Sequence, residues 1–69
     1  MESRIVDHIG VAVRSLDEAI PVWEKLLSAS AYGRERVESQ QVEVVFIGGG
    51  PARVELLAPT HPDSTVARF

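Results

Sequence analysis

Residues 4–13 read RIVDHIGVAV, an extended apolar run with a single imidazole at its centre. Taken with a period of two, Ile5, Asp7, Ile9, Val11 and Val13 face one way, and Val6, His8, Gly10 and Ala12 face the other. The first set is mostly bulky and predicts a face that receives a helix. The second is small on either side of His8, which predicts room in front of the ring for something other than a side chain. An imidazole in that place admits two readings. It is a core histidine with both nitrogens hydrogen-bonded, or a metal ligand that binds through one nitrogen while an acceptor holds the other. A second ligand on a neighbouring strand would separate the two.

Beyond Arg14 the pattern changes period. Ser15 and Glu18 have the spacing of a capping box, and Leu16, Ala19, Ile20, Trp23, Leu26 and Leu27 recur as a helical stripe. This predicts a helix lying on the Ile5/Ile9/Val11 face, with Trp23 in the core. Pro21 inside the stripe removes one hydrogen bond and predicts a kink, at about 3 kcal/mol in a regular helix. Ser28, Ala29 and Ser30 then end the pattern. Residues 31–38 alternate weakly as a charged edge strand, whereas 41–47, rich in valine, read as a stronger strand that ends in Gly48-Gly49-Gly50-Pro51. No Lys-Ser/Thr pair or helix start follows these glycines, so a phosphate loop is rejected and a hairpin turn expected, leading into a strand over 52–58. Pro59, His61 and Pro62 form a connector, and Asp63 or Ser64 caps a helix starting at Thr65 and running to Phe69. The order is βαβββ plus the start of a helix, an α+β class, and a chain that stops there reads as part of a longer one.

Composition bounds the remaining possibilities. Sixty-nine residues make one domain, and a domain of this size buries only about 60% of its unfolded surface. There is no cysteine, hence no disulfide framework and no thiolate zinc site. A net charge of −3 with both signs scattered disfavours nucleic acid, which calls for a basic stripe. No apolar run approaches a membrane span, and the N-terminus lacks a basic segment followed by an apolar one. The expectation is a soluble cytoplasmic protein with no nucleic-acid or membrane partner. One helix covers one sheet face, so the other, including Val6 and the apolar side of 41–47, is expected to be open to water and to need a second module. That module is a second copy, giving a dimer, or a missing C-terminal half.

In the last strand Val54, Leu56 and Ala58 share one face, and Arg53, Glu55 and Leu57 the other. With Val54 and Leu56 on the helix, Glu55 falls on the face of His8. A carboxylate and an imidazole there are half of a mixed N/O metal site; the other reading is a carboxylate that is solvated or paired with Arg53.

Several stretches resemble the methylmalonyl-CoA epimerases of the vicinal oxygen chelate superfamily, which also holds glyoxalases and extradiol dioxygenases. They are Asp7-His8-Ile9-Gly10-Val11-Ala12-Val13, Ser15-Leu16-Asp17-Glu18-Ala19, and Glu55-Leu56-Leu57-Ala58-Pro59 with the run from Pro62 to Phe69. The resemblance covers the whole chain but only the first half of such an enzyme. It implies that residues 1–69 are one βαβββ module, the N-terminal half of a glyoxalase-like two-module domain. His8 then matches the first metal ligand and Glu55 the second, with the remaining histidine and glutamate in the second module. The implied cofactor is a divalent ion (Co²⁺, Mn²⁺ or Zn²⁺) and the implied substrate an acyl-CoA. The implied isomerase reaction removes a proton between a carboxylate and a thioester and returns it to the opposite face, with the cation as Lewis acid. No catalytic acid–base residue is assigned, because the family's glutamate falls at Val44, one residue from Glu43, and one residue reverses the face of a strand. Two other classes fit these residues: a glyoxalase or dioxygenase type of enzyme, distinguished by second-half residues, and a non-catalytic small-molecule-binding module, distinguished by metal content.

Overall fold

Ser15 starts the helix that follows the first strand. Its backbone is extended (φ −148°, ψ 126°) and its Oγ accepts from the Glu18 N–H at 3.3 Å, which satisfies one donor that a first turn leaves over. In this computed structural model the described residues are 8–48 and 53–68, the side chains of His8 and Arg68 excepted. Helix α1 spans Leu16–Leu27, with Asp17 and Glu18 in its first turn and Lys25 in its last, as the helix dipole favours. Pro21 sits inside it without ending it. Ser28 closes the helix in the left-handed conformation, and its N–H donates to the Glu24 and Lys25 carbonyls.

Strands β1 (His8–Ala12), β2 (Ala31–Val37), β3 (Val42–Ile47) and β4 (Arg53–Pro59) form one mixed sheet in the order β1-β4-β3-β2. β1 runs parallel to β4, and β3 is antiparallel to both β2 and β4. The architecture is a single βαβββ module, with short 3₁₀ turns at Glu38–Gln40 and Val66–Arg68. Residues 4–7 of the expected first strand, residues 49–52 of the expected turn and strand start, and Phe69 lie outside the described residues.

Alternation divides each strand between two faces, and the helix takes one of them. Leu16, Val45, Ile47, Leu56 and Ala58 are buried between α1 and the sheet, with Val11, Val13, Ile20, Trp23 and Val54 packed around them. Each large side chain enclosed there contributes about 1.5–3 kcal/mol. The stripe does not hold to its end, however: Leu26 is 67% exposed and Ile9 56%. The helix stops at Leu27 and the chain turns away at Ser28, so Ile9 and Leu27 face a shallow apolar crevice with Ala29, Ile47 and Val54 instead of a closed core.

Two further expectations are corrected. The second sheet face is not open along its length, since Val42 and Val44 are 2% and 7% exposed. The segment after Pro59 folds back so that its last turn contacts β4 and shares a crevice with Val42. The helix expected from Thr65 is a 3₁₀ turn at Val66–Arg68 within the described residues. Buried Ser64 nucleates it: its Oγ accepts from the Val66 N–H at 3.2 Å and its carbonyl from the Ala67 N–H at 3.0 Å.

β2 carries one residue more than β3 between the pairs Tyr32↔Phe46 and Glu35↔Val44, with Gly33 there at φ 67°. This is a bulge of the kind that a left-handed glycine permits. It turns Arg34 towards α1, where Nη1 donates to Asp17 Oδ1 at 2.8 Å and Nη2 to Glu43 Oε1 at 3.4 Å. The hydrogen bond to Asp17 is the main cause that raises the Arg34 pKa above its ordinary value. All three groups meet water, so the cluster orients more than it stabilises.

Two substitutions check this packing by urea unfolding. Leu56→Ala empties the centre of the core and is expected to cost about 2–5 kcal/mol. Gly33→Ala meets only an ordinary 3.5 Å contact with Phe46, so its expected cost of about 1–2 kcal/mol comes from the left-handed backbone alone.

Candidate functional site

The face turned away from α1 is built from alternate residues of all four strands. The parallel register pairs His8 with Arg53, Gly10 with Glu55 and Ala12 with Leu57. The antiparallel register then sets Glu55 beside Phe46 and Leu57 beside Val44, and Phe46 beside Tyr32. Partners in register share a face. Position 8 on β1 and Glu55 on β4 therefore belong to the same face of adjacent strands, two residues apart in register. Glu55 is half-buried beside Phe46. A half-buried carboxylate projecting from a strand is a donor that a hard or borderline divalent ion accepts, and neutral imidazole from the next strand would complement it. Among the described residues no group of three His, Asp or Glu converges.

Glu43 lies on the opposite face. It pairs with Ala58 in register and its carboxylate accepts from Arg34 on the helix side of the sheet, while the adjacent Val44 points into the Glu55 face and is buried. The other histidine, His61, is exposed in the connector, where its Nδ1 accepts from the Asp63 N–H at 3.0 Å.

A methyl group at Gly10 would lie 3.3 Å from Leu57 Cδ1, so a neighbouring side chain leans over the glycine. At the other end of this face Ala12 and Pro59 border a crevice of about 480 Å³ whose far wall is Val66 and Ala67.

One cluster was not anticipated from the sequence. Arg53 reaches from β4 across β3: its Cζ stands 4.9 Å from the centroid of the Phe46 ring, and its Nη1 donates to the Tyr32 hydroxyl on β2 at 3.3 Å. Tyr32 and Phe46 are themselves stacked, with centroids 5.8 Å apart and planes at 27°. Phe46 and Arg53 fall on one face by alternation. Tyr32 joins them through a register that the Gly33 bulge governs, and a weakly alternating strand does not display it.

A family model described as the Glyoxalase/Bleomycin resistance protein/Dioxygenase superfamily matches residues 7–68. The chain belongs to that superfamily. The uncharacterized protein YqjC of Bacillus subtilis is 39% identical over 93% of this chain and 46% of its own length. The mitochondrial methylmalonyl-CoA epimerase of Homo sapiens is 31% identical over 93% of this chain and 36% of its own. The crystal structure of methylmalonyl-CoA epimerase from Mycobacterium tuberculosis superimposes with a TM-score of 0.84 at 28% identity, covering all of this chain and 49% of that one. The chain thus spans half or less of the length of these relatives.

The contact between Gly10 and Leu57 can be measured as a coupling. Gly10→Val is expected to cost about 1–3 kcal/mol by overpacking, and Leu57→Ala in the same chain to recover part of that loss. Strict additivity in a double-mutant cycle would show that the two sites do not touch.

Proposed function

We propose that this chain is one βαβββ half of a metal-dependent acyl-CoA epimerase, the second sheet face holding a divalent ion through His8 and Glu55. The observation that carries the reading is the shared face of position 8 and Glu55 on parallel neighbouring strands, in a superfamily member whose relatives include methylmalonyl-CoA epimerases. Bound there, the ion would supply a Lewis acid for the oxygens of a thioester and a carboxylate.

The chain's own residues have separable parts in this scheme. Glu55 contributes an anionic oxygen ligand and His8 a neutral nitrogen, a pair suited to Co²⁺, Mn²⁺ or Zn²⁺. Val44 and Leu57 line the same face with apolar surface, which limits water around a carbanion-like centre. Val44 also occupies the position beside Glu43 where an acid–base carboxylate would have to point, and Glu43 itself is committed to Arg34 behind the sheet. Proton removal and return are therefore assigned to groups outside residues 1–69, contributed by a second module together with the remaining ligands.

Two measurements test the scheme. His8→Ala and Glu55→Ala are each expected to weaken Co²⁺ binding at least about tenfold by calorimetry, with the metal-free melting temperature nearly unchanged. Unaltered affinity in both variants would remove the ion from this face. In deuterated water with Co²⁺ and methylmalonyl-CoA, the 69-residue chain alone is expected to exchange the substrate α-proton at least about 10²-fold more slowly than the chain joined to a second βαβββ module. Equal rates would show that the chemistry is complete in one half or in a dimer of halves.

A further inference from the structure

The chain leaves the sheet in opposite directions from two adjoining strand ends. β1 and β4 are parallel neighbours that finish two residues apart in register, at Ala12 and Pro59. From Ala12 the chain passes to α1, which covers the core face. From Pro59 it passes to the 3₁₀ turn at Val66–Arg68, which contacts β4 and shares a crevice with Val42 on the second face. Where the connections from neighbouring parallel strands part in this way, neither covers the carboxyl ends of the strands, and open sheets take ligands in the gap between them. The crevice of about 480 Å³ lies in that gap, bordered by Ala12, Val13 and Arg14 on one side and by Pro59, Val66 and Ala67 on the other. Small-molecule sites span about 300–1,000 Å³.

The border is apolar except at Arg14. Arg14 is exposed, and among the described residues no carboxylate pairs with it: Asp17 and Glu43 are held by Arg34, and Glu38 by Arg36. An unengaged guanidinium keeps its planar N–H edge for a pair of oxygens. Ala12, Pro59 and Ala67 have no side-chain rotamers to lose when a ligand settles against them, so their surface suits a slender apolar body. In a chain of net charge −3, an anion needs such a local cation to offset the overall field.

We propose that this crevice binds an oxyanion, a phosphate or a carboxylate, carried on a slender apolar chain, with Arg14 as its receptor. Ala12 lies on the face of Glu55, one pair beyond Gly10, and the Cα atoms of Gly10 and Arg14 are at most about 14 Å apart along the chain. A ligand with its other end at Glu55 therefore reaches the crevice. That the oxyanion belongs to an acyl-CoA rests on the function proposed above; the site itself does not.

The test follows amide signals by NMR while the 69-residue chain is titrated with hexyl phosphate, hexanoate and inorganic phosphate. At least one of the two alkyl oxyanions is expected to shift the signals of Arg14 and Ala67 and to bind more tightly than inorganic phosphate. R14Q is expected to weaken it at least about tenfold, the scale of a charge-assisted hydrogen bond. A67W, which fills the crevice and keeps the charge, is expected to lose a similar factor, and R14K to fall between the wild type and R14Q. Positions 14 and 67 are exposed, and circular dichroism of each variant separates lost binding from lost fold; should R14Q not fold, R14K and A67W decide. The proposal is overturned if neither alkyl oxyanion binds the wild type, if R14Q binds them as tightly, or if inorganic phosphate binds equally well. Methylmalonyl-CoA and methylmalonyl-pantetheine, which lacks the nucleotide phosphates, then identify the source. A loss in R14Q for the first alone assigns a phosphate of the nucleotide, and a loss for both assigns the free carboxylate. No loss for either assigns a separate alkyl oxyanion. Should the wild type bind hexyl phosphate or hexanoate but no acyl-CoA, the epimerase reading fails and the crevice site stands.

Discussion

The parallel pairing of β1 with β4 is the constraint on which the rest of the module depends. It joins the first strand to the last across α1, β2 and β3, a long-range closure that carries a chain-entropy cost before any contact rewards it. What offsets that cost is the apolar plate formed when the register is right. Val11 then lies beside Leu56 and both face α1, while Gly10 lies beside Glu55 and both face away. A slip of one residue in β4 would put Glu55 under the helix and Leu56 in water. The hydrophobic core and the polar character of the opposite face are therefore fixed by one and the same register.

The two faces are finished differently. Under α1 the centre of the sheet is closed by Ile47 and Leu56, neither of which meets solvent. On the other side the strands carry a carboxylate, a guanidinium and two aromatic rings beside small residues, and among the described residues the end near Val42 is roofed by the chain returning through Ser64. The tightest packing is concentrated on one side and the polar groups on the other, an arrangement by which a small scaffold can vary a surface without disturbing its core.

Much of this was legible because β-structure reports its faces through a period of two. Alternation alone placed Leu56 with Val54 and Glu55 with His8, and the Ser15 cap and the Leu16-to-Trp23 stripe located the helix. The failures have a common physical origin. A stripe tells which way a side chain points but not where the opposing surface ends, so Leu26 and Ile9 were assigned to a core that stops short of them. Burial of Val42 comes from a segment more than twenty residues away in sequence. The approach of Leu57 to Gly10, neighbours only in the folded sheet, was likewise not visible in the sequence. The partnership of Tyr32 with Phe46 and Arg53 required the register of an edge strand whose one structural clue was Gly33, and a lone glycine in a strand marks a bulge without saying which residues it brings together.

The bulge at Gly33 also bears on how the sheet meets other protein. An edge strand exposes a row of unpaired amides that can template a further strand, and irregularity and charge along the row discourage this. β2 has both: a kink at Gly33 and the sequence Arg34-Glu35-Arg36 directly after it. β1, the opposite edge, is regular, and Ile9, Gly10, Val11 and Ala12 carry no charge. Among the described residues the sheet thus carries irregularity and charge on one margin and neither on the other, so the two edges differ in how readily they would accept a further strand.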